Sequence, residues 1–241
     1  MLQAGHYTLL IVILIAIGWA MNKAAINARY TAERRNRFVL GYAAFVALWI
    51  GYVSGLAGTG FLADFSLPPK LVLFVVLPAF AIIAWFFTAK RFKDIIDGFP
   101  IAFTVYYQSF RIVVELLILG LYKEGLGPEL VSFEGRNFDI LAGLSAPIVG
   151  YLAYNRKVLS HKVVIVWNIC CLLLLANIVF IFISLIVRPL LWGFDSIPIS
   201  LDFPRLPYVY IAAAFMPTAV FMHLFSIRKS LKAMRQPVQN N

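Results

Sequence analysis

Apolar residues fill seven stretches of the chain so densely that neither the alternation of a half-buried strand nor the single stripe of a surface helix is visible. The stretches run Tyr7 to Met21, Phe38 to Leu62, Leu71 to Ala89, Pro100 to Tyr122, Phe138 to Asn155, Val163 to Val187 and Tyr208 to Ile227. Most approach the roughly twenty residues a helix needs to cross the ~30 Å hydrocarbon core of a bilayer. The pattern predicts an all-α, polytopic membrane helix bundle of about seven transmembrane helices. It forms a single transmembrane domain over residues 1–241, with a short basic tail from Arg228 to Asn241. No lysine or arginine precedes the first stretch, as one would in a secretory signal, so it reads as a retained helix.

Composition agrees with this reading. The 241 residues are 62% hydrophobic and 13% charged, about half the charged fraction usual in a soluble domain. A formal charge of +10 raises the question of nucleic acid, and the placement of the charges answers it. If the helices alternate in direction, 15 of the 21 lysines and arginines fall on one side, after the first, third, fifth and seventh helices. The positive-inside rule makes that side cytoplasmic and puts the amino terminus outside. The basic face then implies membrane lipids as partners, no nucleic acid, and an integral protein of a bacterial inner membrane. Seven of the eleven acidic residues lie on the opposite side. The connections Lys123 to Asn137 and Arg188 to Pro207 are expected to lie at the interface as short helices or lids.

The fourth helix breaks the apolar rule. Thr104, Gln108, Arg111 and Glu115 are spaced by 4, 3 and 4 residues, which places them on one stripe. At about 1.5 Å per residue Arg111 lies near the midplane and Glu115 about 6 Å beyond it. An unpaired charge there costs at least about 2.5 kcal/mol, so the stripe must face the bundle interior, a partner or a water-filled cavity. Arg before Glu at this spacing is the weaker orientation of a helical ion pair, so further partners from another helix are expected. Asn168 and Asn177 of the sixth helix are candidates, Asn177 level with Glu115, with Tyr106 and Tyr107 closing the inner end.

A second polar group, Glu134-Gly135-Arg136-Asn137-Phe138-Asp139, precedes the fifth helix. Asn137 or Asp139 could cap that helix, and the carboxylates could rim an outer mouth above Glu115. The stretch Gly135-Arg136-Asn137-Phe138 resembles part of the arginine-bearing signature of the seven-helix lipoprotein diacylglyceryl transferases. The His-Gly-Gly segment of that pattern has no counterpart, so the chain is not placed in that family. Pro78, Pro147 and Pro217 lie at similar depth in the third, fifth and seventh helices, and each frees a carbonyl, of Phe74, Gly143 and Ala213.

His6, His161 and His223 are expected near the interfaces, so neither haem nor a metal site is predicted, and no cofactor. Cys170 and Cys171 are adjacent, a spacing that suits neither a bridge nor a metal. Three functions fit these features. The first is a small-solute or proton- or ion-linked transporter or channel using Arg111, Glu115, Gln108, Asn168, Asn177 and Tyr107. The second is a membrane enzyme acting on a lipid or isoprenoid. The third is a sensor or assembly subunit whose polar stripe is structural.

Overall fold

The computed structural model describes residues 1–235. These residues are helical and turn segments in the order α1 (Leu2–Asn27), α2 (Ala32–Gly58), α3 (Leu77–Thr88), α4 (Lys93–Gly98), α5 (Ile101–Tyr106), α6 (Phe110–Lys123), α7 (Ile140–Gly150), α8 (His161–Val187) and α9 (Met216–Arg235). Five helical stretches among the described residues are long and apolar enough to cross a bilayer, and a sixth joins them if Val72–Thr88 and Lys90–Gly98, bent by 70°, form one broken span. The remaining apolar helix, Ile140–Asn155, is shorter.

Polarity runs inside out relative to a soluble fold. Leu40, Leu48, Ile148, Val166 and Leu173 are exposed, whereas Gln108, Arg111, Glu115, Asn137, Asp139, Asn168 and His223 are buried. In water this arrangement would waste the apolar area and desolvate the charges; in lipid the first cost reverses, and the interior of the bundle is where the charges find partners. The chain is a multi-pass membrane protein.

Local chemistry sets the ends of the helices. Thr31 and Ser160 begin α2 and α8 by accepting from the backbone N–H of Arg34 and Val163. Gly125, at φ 74°, closes α6 with paired bonds from Gly125 N to Tyr122 O and from Leu126 N to Leu121 O. That return through the left-handed region favours glycine. The connections expected at the interface do contain short 3₁₀ turns, Glu129–Val131 and Pro189–Trp192.

Prolines widen the helices. Before Pro78 and Pro217 the backbone forms π turns, Val72–Val76 and Ile211–Phe215, each ending two residues ahead of its proline. Proline offers no N–H to the carbonyl four residues back, and a wider turn relieves its clash with that carbonyl. The freed carbonyls find donors on α2. Tyr52 Oη donates to Phe74 O at 2.9 Å and Trp49 Nε1 to Ala213 O at 3.0 Å. Pro147 sits inside α7, with a π turn, Tyr151–Asn155, following it.

At one face the segments 124–139 and 188–210 meet, with Ser200 N donating to Leu126 O at 3.1 Å. At the other face the basic segment joins the fold instead of forming a free tail, because residues 228–235 continue α9. Lys229 Nζ donates to Asp97 O at 2.6 Å, and Lys232 pairs with the Asp97 carboxylate at 2.8 Å. The rest of the expected tail, residues 236–241, lies outside the described residues.

Candidate functional site

The polar stripe of the fourth span is continuous in space although its helix is not. A 3₁₀ turn, Tyr107–Ser109, separates α5 from α6, and Thr104, Gln108, Arg111 and Glu115 all remain buried. Its neighbour α7 presents a face of small residues, Ala142, Gly143, Ala146 and Gly150, all buried. A Cβ on Gly143 would stand 2.8 Å from Ile112 N, and one on Gly150 2.7 Å from the Tyr106 ring. Only a hydrogen at those positions lets α7 approach α5 and α6 this closely, a packing mode common between membrane helices.

This approach brings Asp139, one turn before Gly143, against Arg111. Arg111 Nε donates to Asp139 Oδ2 at 2.7 Å, and Nη2 pairs with Oδ1, a bidentate bridge buried on both sides. The third guanidinium nitrogen, Nη1, lies 3.0 Å from His223 Nε2 on α9. Arginine has no acceptor, so His223 Nε2 accepts and its proton sits on Nδ1. Nδ1 then donates to Asn168 Oδ1 at 2.8 Å, and Asn168 Nδ2 donates to Val164 O at 2.7 Å and Ser226 Oγ at 2.9 Å.

A second arm reaches Glu115. Asn137 Nδ2 donates to Glu115 Oε2 at 2.6 Å and to Val131 O at 3.0 Å, while Asn137 Oδ1 accepts from Asp139 N at 3.0 Å. One buried network thus ties α6, α8, α9 and the segment before α7. Within it Arg111 and Asp139 compensate each other, as a buried charge pair in a low-dielectric surrounding requires.

Several expectations are revised. The further partner expected for Arg111 is Asp139, just before α7, and not an asparagine of the sixth helix, while Glu115 turns to Asn137; Asp139 offers bidentate geometry. Asn137 and Asp139 are buried members of the network and not an open rim, and neither side chain caps α7. Asn137 makes a short Asx turn instead. Glu134 pairs with Lys123 at 2.7 Å, and Arg136 lies over the Trp192 ring, 5.4 Å from its centre.

The remaining candidates divide in the same way. Asn177 does not reach Glu115 and donates to Arg136 O at 2.9 Å, whereas Asn168 belongs to the network. Tyr107 donates to Thr218 Oγ1 at 2.9 Å, and Gln108 Nε2 to Ala219 O at 3.1 Å. His223 and His6, expected at interfaces, are fully buried. The signal for His223 was present, since His223, Ser226 and Ser230 repeat on α9 the spacing of 3 and 4 that marks the stripe on the fourth span.

Beside the network lies a cavity of about 170 Å³. Its wall is apolar except at Arg111, Glu115 and Asp139. It runs from Phe65 and Phe203, in the connecting segments, down to Phe110 and Ala219 at the level of Arg111. Ile183, on the exposed surface of α8, also lines it, so the cavity reaches the lipid-facing side of the bundle. Among the described residues, no group of three or more His, Cys, Asp or Glu is placed to hold a metal ion.

No family model matches the chain, and neither the curated proteins nor the solved structures include a match.

Proposed function

We propose that this membrane protein binds an amphiphile of the lipid or isoprenoid class, with a stretch of hydrocarbon chain in the apolar cavity and its polar part at the Glu115 carboxylate and the Arg111–Asp139 pair. The observation that carries the reading is the wall of that cavity, apolar everywhere but at those three residues. Its size supports the same choice. At about 170 Å³ it approximates the dry cavities of ~150 Å³ that admit a benzene-sized apolar group, and falls short of the ~300 Å³ usual for a whole small-molecule site. A hydrocarbon segment fits those terms better than a hydrated solute.

Lipid entry needs a bundle in a bilayer, and we read the chain as seven crossings with the amino terminus outside and the carboxyl terminus in the cytoplasm of a bacterial inner membrane. The charge bias supports this, together with the position of each apolar stretch on a helical segment. The cavity then opens in the outer half of the bilayer. A second reading, a proton or cation held at Glu115 and coupled to transport, is favoured by that carboxylate having, among the described residues, one hydrogen-bond donor, Asn137, and no cation in contact.

The test is mass spectrometry of lipids retained by protein extracted from its native membrane in mild detergent. The wild type is expected to keep an amphiphile that Val179→Trp, which fills the cavity, releases. An identical lipid complement in both, or none in the wild type, rejects the proposal. If Glu115→Gln keeps its lipid but loses a proton or cation flux in proteoliposomes, the second reading replaces it.

A further inference from the structure

At the opposite end of the network is a different kind of space. A pocket of about 330 Å³ opens at the face where α7 hands over to α8, lined by Tyr154, Lys157, Ser160, His161 and Val164 among others. Lys157 and Ser160 are exposed, so the pocket communicates with the aqueous phase. Its inner wall touches the network, because the carbonyl of Val164 accepts from Asn168 Nδ2 at 2.7 Å.

Between the pocket and the network lie hydroxyl groups that the protein leaves incomplete. Tyr154 carries its hydroxyl towards Ser226 and Ser230 of α9. The three hydroxyls stand within reach of one another, but among the described residues neither the Tyr154 nor the Ser230 hydroxyl attains full hydrogen-bond geometry, and both are buried, Ser230 wholly so. Buried hydroxyls without partners are rare because desolvation goes uncompensated, and the usual partner is ordered water. A polar site beside a hydrated pocket, with two unfilled hydroxyls and the Ser226 oxygen, offers the two to four partners that a buried water needs.

We propose that Tyr154, Ser230 and Ser226 line a water inlet that runs from the Lys157–His161 pocket to the His223 end of the buried network. Ser226, at the inner end of this inlet, stands two hydrogen bonds from His223 through Asn168. The network therefore separates a dry apolar cavity on the Glu115 side from a wet inlet on the His223 side. The inlet gives the site a route for water that bypasses the lipid-facing cavity. This inference rests on the second pocket alone and holds whatever occupies the first.

The test is thiol accessibility in sealed membranes, in a background with Cys170→Ala and Cys171→Ala. A membrane-impermeant cationic methanethiosulfonate added on the Lys157 face should label Ser230→Cys about tenfold faster than Ala142→Cys in the α7 core, since exposure governs thiol reaction. Added on the other face it should not, and Ala153→Trp, which blocks the mouth, should slow the labelling. Equal rates for Ser230→Cys and Ala142→Cys, or faster labelling from the other face, overturn the inlet. A readout independent of these variants is radiolytic footprinting of the wild-type protein, in which Tyr154 should be oxidised by adjacent water and the buried Phe99 should not. An unmodified Tyr154 overturns the inlet as well.

Discussion

Arg111 is held by Asp139 of the neighbouring helix, not by Glu115 one turn along its own. The bridge is bidentate and buried, and His223 occupies the guanidinium nitrogen that remains. Removing either partner leaves an uncompensated charge buried inside the bundle. Asp139→Ala or Arg111→Ala should therefore cost about 3 to 5 kcal/mol, while the paired replacement Arg111→Met with Asp139→Leu should recover most of that loss. Thermal unfolding in detergent, followed by size-exclusion yield, reads both. Equal losses in the single and double variants would show that the pair itself contributes net stability.

The bridge depends on how near α7 can come. Gly143→Ala places a Cβ 2.8 Å from Ile112 N and 3.3 Å from Arg111 C, against backbone that cannot rotate away. Such overpacking costs about 1 to 3 kcal/mol, and here it should also draw Asp139 off Arg111. Unfolding temperature should fall, and Asp139 should become accessible to carboxyl-directed labelling. A variant with unchanged stability would mean that α7 slides without disturbing the pair.

Trp49 takes the carbonyl that Pro217 releases. Trp49→Phe should cost about 0.6 kcal/mol through that bond, the average for polar contacts between membrane helices. In a Pro217→Ala background the carbonyl of Ala213 regains a helical N–H, so the loss due to Trp49→Phe should shrink. A double-mutant cycle measures the difference, and strict additivity would argue that the two are unrelated.

Asp64 lies between spans, where Lys70 Nζ at 2.9 Å and the N–H of Ser66 at 2.9 Å bind its carboxylate. The Lys70 hydrogen bond, followed by those from Ser66, holds the carboxyl below its ordinary 3.8. A depressed value in the folded state means that the loop contact is fully present above about pH 3.8 and is lost as pH falls through the lower folded value. Carboxyl carbon chemical shifts should show Asp64 titrating below its ordinary 3.8, and Lys70→Met should move its midpoint upward. An unmoved midpoint would remove Lys70 as the cause.

The lengths of the apolar stretches, the helical class and the stripe Thr104–Gln108–Arg111–Glu115 were legible because each is a local property. Transfer of a side chain into lipid depends on that residue, and the facing of a stripe depends on spacing along one helix. The bend after Thr88 was less legible, because an apolar run does not show where backbone direction changes. His223 was less legible, because a lone histidine near a helix end reads as interfacial until the serines beyond it are counted with it.

By itself the sequence determined that charged groups lie at the middle of an apolar bundle and must be compensated there. It named nearly all the polar groups involved, including Glu115, Asn137, Asp139 and Asn168. Only the tertiary structure decided their partners, since two carboxylates compete for one guanidinium and the choice turns on distances set by small residues on α7. It also decided that one side of the network faces an apolar cavity and the other a polar pocket. Packing between helices distant in sequence creates such spaces, and no local pattern encodes them.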